Sequence, residues 1–192
     1  MPIGSSMVIP YIVEQLYPPP TFVLDVGIGY GMNGALVRQY SFGGQEMNRY
    51  EQQFLLGIEP FEKYETPLWK VYNKVIRNPL VFFLGPTVVD WKHGSLWNLI
   101  LMTDVIEHFE KEEGVQRLKQ LIARLAPGGK LLVSTPAIWI EQGAAYGNEY
   151  ERHRSLWDCD DFRKLGFEIL WDGTPQRGQM MIVAVYKNGE VE

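Results

Sequence analysis

The sequence is short of thiols, imidazoles and early positive charge: it has one cysteine, three histidines, and no lysine or arginine before Arg38 in 192 residues. A lone Cys159 excludes an internal disulfide and any multi-thiolate zinc site. Three histidines with no ligand cluster at a recognisable spacing lead us to expect no metal centre. Without early basic residues the first stretch has neither the cationic region of a secretory signal nor the Arg-rich face of a transit peptide, so the expected compartment is cytoplasmic. Long apolar runs are missing too. Pro79 to Val89 is broken by Gly85 and Pro86 and falls short of the ~20 residues that span hydrocarbon, so no membrane association is expected. Basic charge is also scarce, with 18 Lys plus Arg against 23 Asp plus Glu and a net charge of -5. No dense basic stripe exists to neutralise phosphates, which argues against strong nucleic-acid binding. What is present is apolar content, 46% of the chain. At ~150 residues per domain this predicts one domain over residues 1–192.

Along the chain, strand patterns alternate with helical ones. Ser5 or Ser6 is placed to cap a helix through about Leu16, within an N-terminal extension of residues 1–20 that Pro18, Pro19 and Pro20 terminate. The apolar run Phe22 to Val26 meets a glycine cluster, and a polar segment from Ser41 to Gln53 leads into a second buried run, Phe54 to Ile58. Thr66-Pro67 predicts a helix start, with proline where its missing N–H is harmless. Lys74 to Arg77 reads as a third strand and Leu96 to Asp104 as a fourth, while Pro79 to Val89 gives no clear pattern. From Lys111 to Ala126 the apolar residues Val115, Leu118, Ile122 and Leu125 share a helical stripe, stopped by Pro127-Gly128-Gly129. Leu131 to Val133 is a fifth strand. Asp158 with Asp161 resembles a capping box for a short helix through Leu165. Phe167 to Trp171 and Met180 to Tyr186 are two further strands joined through Gly173, Pro175 and Gly178. Together these predict a Rossmann-like α/β fold: a seven-stranded, mostly parallel sheet with helices on both faces and an antiparallel C-terminal strand pair.

Ligands in such folds sit outside the carboxyl ends of the strands, which singles out Asp25 to Gly31, Glu59-Pro60, Arg77-Asn78 and Asp104 to His108. Gly27, Gly29 and Gly31 follow Asp25 directly after a strand, where backbone must turn tightly and approach a ligand; an ordinary turn needs fewer glycines. Gly29 to Gly34 also satisfies the dinucleotide pattern G-x-G-x-x-G, so a nicotinamide cofactor stays open. Glu59 ends the second strand 34 residues after Asp25, placed to accept hydrogen bonds from both hydroxyls of a ribose; alone it reads equally well as a solvated acid. Asp104 to Phe109 gathers two acids and an imidazole at a strand end, where His108 fits a structural role or faces a ligand or substrate. Residues 137–158 have no clean period and are rich in Gly, Tyr and Trp, which predicts a substrate lid, with Gly143 and Gly147 as hinges. Within it Arg152 and Arg154 could pair with an anionic group and Tyr150 or Trp157 stack on a ring, although a solvated surface segment fits the same residues.

The conjunction of Leu24 to Gly31, Gly57-Ile58-Glu59-Pro60, Asp104-Val105-Ile106-Glu107-His108-Phe109 and Leu125 to Lys130 resembles class I S-adenosylmethionine-dependent methyltransferases, in the branch with a "VLEH"-type fourth motif. The resemblance covers about Phe22 to Tyr186, and Gln142-Gly143 with Asn148 to Trp157 is similar to a lid found in some members. It implies S-adenosyl-L-methionine as cofactor, its amino-acid part held by Asp25, Gly27, Gly29 and Gly31, its ribose by Glu59, and its adenine beside Phe61. An acid after the third strand commonly meets the adenine amino group; here Asn78 stands closest, with Gly85-Pro86-Thr87 as a second alignment. Asp104, Val105 and Ile106 would line the wall beside the cofactor. His108 and His153 are the candidate proton acceptors, and Gln142, Tyr150, Arg152, Arg154 and Trp157 the candidate substrate contacts. The implied acceptor is a small-molecule or glycan-like compound. With only one helix ahead of the first strand, the pocket is either open or completed by a second copy in a homodimer. A nicotinamide-dependent oxidoreductase and a non-catalytic cofactor-binding module are the competing readings.

Overall fold

A computed structural model describes residues 5–41, 51–80, 96–175 and 180–189. The predicted strand runs form a seven-stranded sheet: β1 (Phe22–Val26), β2 (Phe54–Ile58), β3 (Lys74–Ile76), β4 (Trp97–Thr103), β5 (Leu125–Pro136), β6 (Glu168–Asp172) and β7 (Met181–Lys187), in the order β3-β2-β1-β4-β5-β7-β6. The pairs from β3 to β5 are parallel, whereas β7 runs antiparallel to both β5 and β6. The order reverses between β1 and β4, which makes the carboxyl ends of β1, β2 and β4 the switch point of the sheet.

Side-chain alternation along the strands feeds two cores, one on each face. Leu24, Val26, Ile100, Met102, Leu131 and Val133 face Leu118 and Leu121 of α3 (Lys111–Ile122) and Phe162 of α4 (Cys159–Lys164). Val23, Leu99, Leu101 and Leu132 face Ile12 of α1 (Ile9–Gln15) and Val37 of α2 (Met32–Tyr40). Full burial of each such aliphatic side chain contributes about 1.5–3 kcal/mol, so the central strands are the most strongly held part of the fold. No helix among the described residues is long and apolar enough to cross a membrane.

Several local expectations change. The helix after Glu110 ends at Ile122, short of Ala126, because Leu125 already pairs with Trp97 and β5 begins there. Thr66-Pro67 opens a 3-10 segment, Pro67–Val71, with the Thr66 side chain accepting from the Leu68 N–H. Neither Ser5 nor Ser6 caps α1 through its side chain: Ser6–Val8 is a 3-10 turn leading into the helix, and the Ser5 N–H donates to Asp104 Oδ2 at 2.7 Å. The Asp158/Asp161 capping box is complete in both directions. The readings at Gly85-Pro86-Thr87, at Gly178 and over most of Ser41 to Gln53 fall outside the described residues.

Candidate active site

At the end of β1 the chain turns through Gly27, Gly29 and Gly31, with φ of 72°, 50° and 91°, values that a side chain resists. The turn is strapped from outside by the Thr66 to Tyr72 segment. Thr66 Oγ1 donates to the Tyr30 carbonyl at 2.7 Å and Trp69 Nε1 to the Gly29 carbonyl at 2.8 Å. Tyr72 goes deeper: its hydroxyl donates to Asp25 Oδ2 at 2.6 Å and accepts from the Gly34 N–H at 3.0 Å. Asp25 is thereby fully buried beneath the cleft floor rather than facing it, and burial pushes its carboxyl up to about 6 against the hydrogen bonds from Tyr72 and Asn33. Asn33 carries the connection upward, donating to Asp25 Oδ1 at 3.3 Å and to Thr103 Oγ1 at 2.9 Å, and both Asn33 and Thr103 line the cleft.

The cleft itself has a volume of about 360 Å³ and lies at the switch point. Glu59, at the end of β2, accepts from the Gly29 N–H through Oε2 and from the Phe61 N–H through Oε1, each at 3.0 Å. Each carboxylate oxygen keeps a further acceptor site for a ligand. Burial, with smaller contributions from Glu151 and Asp25, raises Glu59 to about 7 against those two backbone donors. Ile28, Ile58, Leu80, Val105 and Phe109 supply apolar wall, and Tyr150, Glu151 and Arg154 reach it from the segment after β5.

Asp104 lines the cleft with φ of 54°, its Oδ1 accepting from Ser134 Oγ at 2.7 Å. His108 also lines it, while Glu107 points inward and is buried. A ligand atom from each of Glu107, His108 and His153 lies within 4.8 Å of the other two, a convergence that the spacing of the histidines did not announce. Burial pushes the His108 imidazole down to about 4, helped by His153 and opposed by Glu151, so it is uncharged at neutral pH.

Of the residues singled out in the sequence, Gly27, Gly29, Glu59, Asp104, Val105, His108, Tyr150 and Arg154 line the cleft. Gly31 sits behind it at the N-cap of α2, and Phe61 packs edge-on against Tyr64 at 4.8 Å. Asn78 is exposed and off the cleft, although the adjacent Pro79 and Leu80 line it. Ile106 does not form the expected wall, because it is fully buried in the core under α3. Trp157 is likewise no stacking platform: it is fully buried against Phe162, with its Nε1 donating to Ser155 Oγ at 2.9 Å. Gln142 donates to the Glu151 carbonyl at 2.6 Å, and exposed Arg152 pairs with Glu149 at 3.2 Å.

Nor does the whole of residues 142–157 hang free as a lid. The Arg154 and Ser155 N–H groups both donate to the Glu107 carbonyl, at 2.8 and 3.1 Å, and the His153 N–H to the Gln142 carbonyl at 3.0 Å. Arg154 adds Nη1 bonds to the His108 and Arg152 carbonyls, at 2.8 and 3.0 Å, and an Nη2 bond to Glu149 O at 3.1 Å. The sequence reading missed Asn33, Trp69, Tyr72, Asn148 and Glu151. Asn33 lies inside the glycine pattern and Asn148 and Glu151 inside the run from Asn148 to Trp157, whereas Trp69 and Tyr72 carry no local signal.

The sequence profile of a methyltransferase domain matches residues 11–170. No curated protein matches the chain in sequence. Among solved structures, the chain is similar to 1,6-didemethyltoxoflavin-N1-methyltransferase of Burkholderia thailandensis, which holds 1,6-didemethyltoxoflavin and S-adenosylhomocysteine. The identity is 14% and the TM-score 0.63, over 96% of this chain and 78% of that one. It is also similar to the N-methyltransferase NodS of Bradyrhizobium japonicum WM9, at 11% identity and a TM-score of 0.59, over 96% of both chains. Magnesium protoporphyrin IX methyltransferase of Synechocystis PCC 6803, solved with bound SAM, matches at 16% identity and a TM-score of 0.61, over 95% of this chain and 77% of that one. At these identities the likeness concerns the fold.

Proposed function

Because the chain belongs to the methyltransferase domain family, we propose that its cleft binds S-adenosylmethionine through the β1 glycine turn and Glu59 and passes the methyl group to a small-molecule or glycan-like acceptor. The observation that carries this reading is Glu59: a buried carboxylate at the end of β2, anchored by the Gly29 N–H and facing the cleft with further acceptor sites. A ribose diol is a ligand that fills two such sites at once. The antiparallel β7 between β5 and β6 departs from the all-parallel nicotinamide-binding order and disfavours the oxidoreductase reading.

When bound, the cofactor would supply an electrophilic sulfonium methyl to an acceptor lone pair. The chain's own work is alignment and exclusion of water. Gly27 and Gly29 let the backbone approach closely, and Asn33, steadied by Asp25 and Thr103, offers a side-chain amide to the polar end of the ligand. Val105 and Phe109 supply dry wall. Tyr150 is the exposed ring placed to meet the acceptor, with Arg154 beside it.

Calorimetric titration of the purified chain with S-adenosylhomocysteine and with NADH tests the proposal. A one-site isotherm for the first and none for the second is expected; the reverse would overturn it. Affinity should also depend on pH with a definite sign. The ribose hydroxyls donate to ionised Glu59, whose carboxyl is raised to about 7, so the free protein holds a proton there in mild acid that binding must expel. Affinity for S-adenosylhomocysteine is therefore flat above about pH 7.5 and falls by up to ~tenfold per pH unit below about 6.5. Glu59→Gln should bind more weakly and lose this dependence. A wild-type affinity constant from pH 5.5 to 8 would remove Glu59 from the ribose.

A further inference from the structure

We propose that Glu107, His108 and His153 form a binding site for one divalent transition-metal ion at the wall of the cleft. Three observations converge on it. The first is the donor set: two imidazoles and a carboxylate whose ligand atoms lie within 4.8 Å of one another. Bonds of ~2.0–2.2 Å require ligands roughly 3–3.5 Å apart, so a shift of about an ångström closes the site. Two nitrogens and one oxygen suit zinc, manganese, cobalt or iron better than magnesium or calcium, which prefer all-oxygen shells.

The second observation is the orientation of the rings. His108 Nδ1 faces the Arg152 carbonyl at 3.3 Å, and His153 Nδ1 faces the Ile140 carbonyl at 2.8 Å. A carbonyl only accepts, so each Nδ1 carries the proton and each Nε2 keeps its lone pair. Backbone carbonyls fix the tautomer of metal-binding histidines in this way.

The third is Glu107 itself. Its side chain is 3% exposed, and Oε2 is buried without a hydrogen-bond partner, as is the nearby Thr135 Oγ1. A buried carboxyl oxygen without a partner is costly to keep, and a cation bound by Glu107 would remove that cost.

His108 belongs to both the cluster and the cleft lining, so the site borders the space assigned to the acceptor. Three protein ligands leave coordination positions open, as in catalytic rather than structural sites. An ion there would orient an acceptor oxygen and lower the pKa of a bound hydroxyl. This role rests on the methyl-transfer reading; binding of the ion does not.

The test is titration of chelator-treated protein with Co²⁺, followed by visible absorption, and with Zn²⁺ by calorimetry. One site is expected, weakened roughly 10–100-fold in His153→Ala and in Glu107→Gln, the second keeping the volume of the buried side chain. Mg²⁺ at millimolar concentration should not displace Co²⁺. S-adenosylhomocysteine should bind the metal-free wild type and His153→Ala equally well. Loss of that binding would count against the methyl-transfer reading and leave the metal isotherm to decide this one. Absence of a one-site Co²⁺ or Zn²⁺ isotherm, unchanged affinity in both variants, or equal competition by Mg²⁺ would each overturn the proposal.

Discussion

Gly27→Val should abolish detectable S-adenosylhomocysteine binding while leaving a folded protein. Gly27 has φ of +72°, and a Cβ built there would lie 2.4 Å from Val105 Cγ2. The left-handed conformation alone costs a side chain about 1–2 kcal/mol, and the overlap adds to it. Relief comes only if the turn or Val105 moves, and both line the cleft. The expected loss of affinity is at least ~100-fold, or about 2.7 kcal/mol. Circular dichroism and a titration on the same sample check it. Val105→Ala removes the clashing methyl, so the pair Gly27→Ala/Val105→Ala should recover part of the loss but not all, since the φ penalty remains. Wild-type affinity in a folded Gly27→Val would show that the cofactor lies elsewhere.

Trp157→Ala should be the most damaging single substitution for stability. The indole is fully buried, stacked 5.4 Å from Phe162, with Lys111 Nζ 4.0 Å above its ring. Gly114 on α3 is shaped to it: a Cβ there would come within 2.6 Å of Trp157 Cζ2. Truncating a buried aromatic costs ~3–5 kcal/mol, a large part of the ~5–15 kcal/mol that holds a domain folded. For a chain of this size the melting temperature should drop by roughly 6–20 °C. Gly114→Ala should move it in the same direction. Tyr150→Ala, at a side chain 49% exposed, should hardly change it while altering acceptor turnover. If Trp157→Ala unfolds at the wild-type urea midpoint, the ring is not part of the core.

That contrast shows where sequence reading works and where it stops. Apolar runs such as Phe22 to Val26 and Trp97 to Thr103 announce themselves, because strands covered on both faces are continuous in apolar content. The glycine turn and the Asp158/Asp161 cap are equally local. Trp157 follows Arg152-His153-Arg154 in a stretch without a period, and nothing nearby says that its ring turns inward onto Gly114 and Phe162. The end of α3 was misplaced because the stripe through Leu125 fits helix and strand alike, and pairing with Trp97 decides. The Tyr72 bond to Asp25 and the approach of His153 to Glu107 and His108 span more than forty residues. Contacts of that kind are set by topology, and no local pattern encodes them.

The hydrogen bonds that join Gln142 to Glu151 and His153 also bear on how this methyltransferase could diversify. Between these residues the chain passes Gly143, where an added Cβ meets no atom within 4 Å, and Gly147, where the space is open but φ of +75° resists a side chain. Behind it, Arg154 and Ser155 are tied to Glu107 and Trp157 is locked in the core. Residues inserted between 143 and 147 would therefore lengthen this loop ahead of the buried Asn148 without passing strain to the sheet. Doubling such a loop costs only about 0.6 kcal/mol in closure entropy. If Tyr150 meets the acceptor as proposed, new acceptor preferences could be grafted beside it, by selection or by design, at small cost to the fold.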